Sequence, residues 1–309
     1  MNTTFNAGLV GNSDNPLIQI IESYPAFHIT GCLYPDSSKT LQNRVTGKRP
    51  GPLSREKLFE LNSVIIFLDS GPGIMDLITE ALKRSMHIML FNPGALRSWE
   101  LAELIKLREE AQATVFARYF ERYGPVIQAC KRLIGRPALL NIRLMVPQSK
   151  SHTEQEAIAV NNNVLRMLDA LLFLSPSNIK KIRSLRQPFG STAAGLVSSR
   201  IEFDNGTVAN LLFSDISEKE SFTIDIYNNN MVVSADITGA KLTRMTRAGE
   251  NGLTAKKEKF SKGNNQSVYD ELERFHQAIN GNRDSGNDLF EIFRMTELIS
   301  KITEKAAFF

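Results

Sequence analysis

Few side chains in this chain can move a proton near neutral pH, and their placement is the first constraint on its chemistry. There are four histidines, and an imidazole with a pKa of about 6.5 is the ordinary general acid or base. His28 and His87 each begin a short apolar run, and His276 lies in a helical pattern near the end. His152 sits in the polar stretch "KSHTEQE" ahead of a helix, the placement that suits a cleft loop and a catalytic role. Cys32 and Cys130 follow no ligand spacing, so buried free thiols are expected, with neither a disulfide framework nor a metal site. A strand "HIMLF" stops at Asn92-Pro93-Gly94 just before a helix. An amide at that point can donate and accept hydrogen bonds, but it carries no charge and does not titrate.

The elements that must hold these residues follow from the apolar pattern. Between residues 5 and 90 short apolar runs take turns with helical patterns: "FNAGLVG", "PLIQIIESY", "FHITGCLY", "SREKLFELN", "SVIIFLDS", "GIMDLITEALKRS" and "HIMLF". That alternation predicts βαβ units and a parallel, doubly wound sheet. A long helix "SWELAELIKLREEAQA" follows, with Ser98 as the expected N-cap. Beyond "TVFARYF" come a helix "PVIQACKRLIG", a strand "ALLNIRLMV", a polar loop "PQSKSHTEQE" and a helix "NNVLRMLDALLFL".

From about residue 180 the chain is strand-rich, through "IKKIRSLRQ", "TAAGLVSSRIEF", "TVANLLFSDI" and "SFTIDIYNNNMVVSAD". Asn205-Gly206 in "FDNGT" marks a hairpin. Two helices close the chain, "VYDELERFHQAING", with Gly281 as C-cap, and "LFEIFRMTELISKITEK". The expected fold class is α/β plus α+β. Residues 1–120 form a Rossmann-like, dinucleotide-binding parallel sheet, and 121–309 a largely antiparallel open sheet flanked by helices.

With 309 residues, 42% of them hydrophobic, the chain can bury two proper cores. The net charge of +4 is dispersed apart from "KKEK" at 256–259, which reads as a solvated loop rather than a nucleic-acid patch. No apolar run approaches the roughly 20 residues that span a bilayer, and the start lacks a basic segment followed by an apolar signal core. A cytoplasmic protein with neither nucleic acid nor membrane as partner is expected.

In this order, five stretches resemble the Gfo/Idh/MocA (glucose-fructose oxidoreductase/inositol dehydrogenase) family of NAD(P)-dependent oxidoreductases. They are "AGLVGNSDNP", "ALKRSMHIMLFNPGALRSWELAELIKL", "ARYFERYGPVIQACKRLIG", "SRIEFDNGTVANLLFS" and "YDELERFHQAINGN". The resemblance implies a cofactor, NAD or NADP, near Gly11, Asn12, Ser13, Tyr34, Asp36, Ser37, Asp69 and Pro93. It also locates departures. Gly11 keeps the first fingerprint glycine, while Ser13 and Pro16 stand where the second and third belong; Tyr34 stands for the acidic ribose ligand. In "LFNP", Phe91 and Asn92 replace the glutamate and lysine of a Glu-Lys-Pro signature and Pro93 is kept.

Registering "NNNVLRMLDALLFL" through Asp169 puts Asn162 and Arg166 where the family presents an Asp and a His toward substrate. An arginine stays protonated and cannot shuttle protons, but it can clamp an anion or pair with a neighbouring acid. Arg122 and Tyr123 match the family's junction into the second domain, a hinge or packing position.

Three readings stand. One is an oxidoreductase on a sugar-like or polyol substrate, with catalytic candidates Asn92, Asn162, Arg166 and His152. The second is a catalytically inactive binding or regulatory member of the same fold. The third is an enzyme of changed chemistry that uses Arg166 to hold an anionic substrate. A homo-oligomer through the second-domain sheet is expected.

Overall fold

The computed structural model describes residues 3–12, 14–34, 50–69, 73–118, 122–147, 154–189, 194–248, 252–261, 264–281 and 289–308. The chain divides into two compact units, Met1–Arg118 with Asn264–Arg294, and Tyr119–Gly263 with Met295–Phe309.

In the first unit β1 (Phe5–Val10), β2 (Phe27–Leu33), β3 (Val64–Phe67), β4 (His87–Leu90) and β5 (Val115–Ala117) form one sheet in the order β2-β1-β3-β4-β5. Each pairing is parallel. A parallel sheet is covered on both faces, which is why β3 reads as the unbroken apolar run VIIF, buried throughout. The connecting helices are α1 (Leu17–Glu22), α2 (Arg55–Leu61), α3 (Ile74–Lys83) and α4 (Ser98–Ala111).

Strand residues alternate between faces. Ala7, Leu9, Val64, Ile66, Met89 and Phe116 share one core with Ile18 and Ile21 of α1. On the alternate side α2 lies so close to β1 that a Cβ on Gly8 would meet Leu58 Cδ1 at 2.5 Å. Helix α7 (Asn264–Ile279), which the chain order places after the antiparallel strands, returns to this first core. Its Val268, Leu272 and Phe275 recur at helical spacing, and the Phe275 ring sits 5.7 Å from Phe27 and 5.8 Å from Phe116.

The second unit begins with α5 (Pro125–Leu133), β6 (Leu139–Pro147) and α6 (Glu154–Leu174). Then come β7 (Ile179–Gln187), β8 (Leu196–Phe203), β9 (Val208–Ser217), β10 (Ser221–Tyr227), β11 (Met231–Asp236), β12 (Lys241–Ala248) and β13 (Gly252–Lys259). Helix α8 (Leu289–Glu304) leads into a short β14 (Ala306–Phe308). The sheet order is β13-β12-β11-β10-β6-β9-β8-β7-β14, parallel at β6–β9 and β14–β7 and otherwise antiparallel. In β10, Phe222, Ile224 and Ile226 are buried while Ser221, Thr223, Asp225 and Tyr227 are half-exposed, the alternation of a sheet covered on one face.

Four local expectations are corrected. "KKEK" is not a loop but part of the edge strand β13, where lysines discourage a further strand from adding. "SFTIDIYNNNMVVSAD" is two strands, because Asn228–Asn230 turns the chain. Helix α6 starts at Glu154, inside the stretch read as loop. Ser98 is the first helical residue of α4 rather than its cap, and Glu100 reaches back to accept from the Arg97 N–H at 2.7 Å. Among the described residues no helix is long and apolar enough to cross a membrane.

Candidate functional site

Strand order in the first sheet reverses between β1 and β3, and open parallel sheets bind ligands outside the carboxyl ends of strands at such a reversal. Three chain segments meet there. After β1, Gly11 takes a positive φ of 156° and its N–H donates to Leu33 O at 3.1 Å. After β3, Asp69 points its carboxylate back at that loop. Oδ2 accepts the Asn12 N–H at 2.8 Å and Oδ1 accepts the Asn15 side-chain amide at 3.1 Å. The approach is so close that a Cβ on Gly11 would meet Asp69 Oδ2 and Leu68 Cβ, each at 2.9 Å.

The loop also closes on itself. Asn12 Oδ1 accepts from the Asp14 N–H, the Asn15 N–H donates to Asn12 O, and Asn15 Oδ1 accepts from the Leu17 N–H. Pro16 stands just before the first turn of α1, where its missing N–H costs nothing.

After β4 comes the amide. Asn92 is half-buried, with φ −136° and ψ 79°, and its Nδ2 donates to Leu68 O at 2.7 Å. Pro93 opens a single 3-10 turn, Pro93–Ala95, closed by the Leu96 N–H on Pro93 O. Asn92 therefore ties the end of β4 to the residue that precedes Asp69. Phe91 is fully buried beneath the Arg118 guanidinium, which lies 5.2 Å from its ring centre. Tyr34, at the end of β2, donates its hydroxyl to Pro50 O at 3.2 Å. Ser13, Asp36, Ser37 and His152 lie outside the described residues.

The described histidines stand away from this end of the sheet. His87 begins β4, at the strand end opposite Asn92, and its Nδ1 accepts the Thr114 N–H at 3.0 Å. Burial pushes its pKa below the ordinary value, so it packs as a neutral ring. His276 is buried on α7 with Nε2 2.8 Å from Thr3 O, and His28 is exposed. Cys32 and Cys130 are free and buried, and burial pushes both thiols up to about 12, which makes them poor nucleophiles.

In the second unit Asn162 and Arg166 stand one turn apart on α6. The Arg166 guanidinium donates to Asn163 Oδ1 at 3.2 Å, pairs with Glu220 at 3.1 Å and lies over the Phe222 ring at 5.6 Å. Asp169, almost wholly buried on the same helix, pairs with Arg122. Phe173 flanks that pair: the Arg122 guanidinium lies 5.6 Å and Lys131 Nζ 5.3 Å from its ring centre. Arg122 thus fastens the entry of the second unit to α6.

One ion pair was not anticipated from the sequence. Glu271 on α7 is 0% exposed and its Oε2 lies 2.8 Å from Nε of Arg118, just past β5. The signal was present: Glu271 sits three residues after Val268 and four before Phe275, on the buried stripe of its helix. Among the described residues no three His, Cys, Asp or Glu side chains gather as a metal site.

No family model and no curated protein sequence matches the chain. Solved structures do. A UDP-N-acetylglucosamine 3-dehydrogenase from Acidithiobacillus ferrooxidans superposes with a TM-score of 0.83 at 16% identity, covering 98% of both chains. An oxidoreductase from Thermotoga maritima gives 0.80 at 19%, covering 98% of this chain and 97% of its own. An inositol dehydrogenase homolog from Azotobacter vinelandii, solved with NADH and myo-inositol, gives 0.78 at 13%, covering 98% and 96%. Across both units, the chain has the fold of the Gfo/Idh/MocA dehydrogenases.

Proposed function

We propose that this Gfo/Idh/MocA-type chain is a binding or regulatory member that takes a sugar-like or polyol molecule and does not transfer hydride. The carrying observation is the carboxylate of Asp69 on the Asn12 N–H and the Asn15 amide. A dinucleotide pyrophosphate needs backbone N–H donors and no competing anion beside them. Here the protein supplies its own anion, 2.9 Å from where a Gly11 Cβ would be. Among the described residues this arrangement does not fit the pyrophosphate of NAD or NADP.

The remaining candidates support the same reading. Asn92 cannot titrate, and its amide holds Leu68 O. Arg166 is engaged by Glu220 and Asn163. Loss of positioned acid-base help alone costs a rate of about 10²- to 10⁴-fold. The half-exposed alternation of β10 supports a homo-oligomer through the open face of the second sheet, which a monomeric mass in solution would refute.

A second reading, an NAD(P)-dependent oxidoreductase on a sugar or polyol, is favoured by likeness to dehydrogenases over the whole chain, one of them solved with NADH and myo-inositol. It needs Asn92 and Arg166 to line the site and a further group such as His152 to move the proton. The test is turnover of NAD(P)⁺ with a panel of nucleotide sugars, free sugars and polyols, on the native chain and on Asn92→Lys. No nicotinamide reduction is expected from either. Reduction by the native chain establishes the second reading instead.

A further inference from the structure

The second unit carries a cleft of about 790 Å³ that involves none of Asn92, Asn162 or Arg166. Its walls are the α5–β6 connection at 135–138, the β8–β9 turn at Gly206, the β10–β11 turn at Asn228–Asn230, and Met231 and Thr246 on paired strands. We propose that this cleft binds a sugar carrying one anionic group, a sugar acid or a sugar phosphate, with Arg136 as the anion's partner.

The walls are fixed by the fold. The Ala138 N–H donates to Tyr227 O at 2.8 Å, and the Val208 N–H to Ala138 O at 3.1 Å. Thr207, fully buried, donates its hydroxyl to Pro137 O at 2.7 Å, which pins the hairpin turn to the α5–β6 connection. The Asn228 N–H donates to Met231 O, and Asn228 Oδ1 accepts the Asn230 N–H at 3.2 Å. A site held this way loses little conformational freedom on binding.

Among the described residues the lining has one guanidinium and no carboxylate, so its field favours an anion. Arg136 Nη2 lies against the β8–β9 turn, 2.7 Å from where a Cβ on Gly206 (φ +83°) would stand, so the guanidinium packs on the turn backbone at the mouth of the cleft. Around that charge stand three carboxamides, which donate and accept as vicinal hydroxyls require, and the Thr246 hydroxyl. Met231 and Pro137 add apolar surface for the C–H face of a ring. The volume falls among those of small-molecule sites, about 300–1,000 Å³, and far exceeds what a bare phosphate would fill.

The experiment is calorimetric titration of the full chain with glucuronate, glucose 6-phosphate, glucose and inorganic phosphate, repeated on Arg136→Gln, Arg136→Lys and, as a charge control, Arg183→Gln, an exposed arginine of β7 that is not in the lining. The expected result is one saturable site for at least one of the anionic sugars, and the arm that binds tells carboxylate from phosphate. Glucose and inorganic phosphate should each bind at least tenfold more weakly. Arg136→Gln should lose at least tenfold, Arg136→Lys less, and Arg183→Gln nothing. Absence of binding by both anionic sugars overturns the proposal. So does equal affinity for inorganic phosphate, or binding that survives Arg136→Gln unchanged.

Discussion

The carboxyl end of the first sheet and the Arg136 cleft of the second unit use polar groups in opposite ways. At the first, donors that an anion would want are already met by the protein: Asp69 takes the Asn12 N–H, and the Asn92 amide is spent on Leu68 O. In the second, a guanidinium stands among amides and a hydroxyl with no carboxylate among the described lining residues. A strand-end crevice in the right topological place is therefore not by itself a phosphate site. What decides is whether its donors are free.

The contrast can be tested from its strongest element downward. The first unit pairs its fully buried Glu271 with Arg118, and removing one member of a buried pair leaves the other uncompensated. Glu271→Ala should cost about 3–5 kcal/mol in urea unfolding. Glu80→Ala, which breaks pairs with half-exposed Arg55 and Arg84, should cost about 1 kcal/mol or less. Equal costs would show that Arg118–Glu271 does not hold α7 to the sheet.

Asp69→Ala releases the exposed Asn12 N–H and the half-buried Asn15 amide to water and should cost about 0.5–1.5 kcal/mol. Amide exchange at Asn12 should accelerate with it. An unchanged exchange rate would mean that the carboxylate does not close the loop in solution.

A smaller effect comes from His87. Burial lowers its folded pKa below the ordinary 6.5, so below that value the unfolded chain takes up a proton that the folded one refuses. Its contribution is therefore full above about pH 6.5 and falls as pH drops toward the folded pKa. Unfolding free energies measured from pH 7.5 to pH 5 should fall less steeply in His87→Gln than in the native chain. Parallel profiles would place the titration elsewhere.

The parallel sheet was legible because unbroken apolar runs alternate with helical patterns, and the hairpin at Asn205-Gly206 because a tight turn needs those residues. The return of α7 to the first core was not legible. Its Val268–Leu272–Phe275 stripe shows that it must pack, but not against which sheet. The turn at Asn228–Asn230 was legible in principle, since three consecutive asparagines break the alternation of the strands on either side.

At the candidate site, Gly11, Asn12, Asp69 and Asn92 were named from the sequence, and the structure brings them together. That Asp69 would reach the Asn12 N–H and the Asn15 amide depends on the register of β1 against β3, which no local pattern encodes. Arg136 was missed because its cleft is assembled from four segments far apart in the chain.

Calorimetric titration with NADH and NADPH, on the native chain and on Asp69→Ser, bears most directly on whether Asp69 has replaced the dinucleotide. No saturable binding to the native chain at millimolar concentration is expected, with weak binding emerging once the carboxylate is removed. One-to-one binding of either nucleotide to the native chain at micromolar concentration would contradict it.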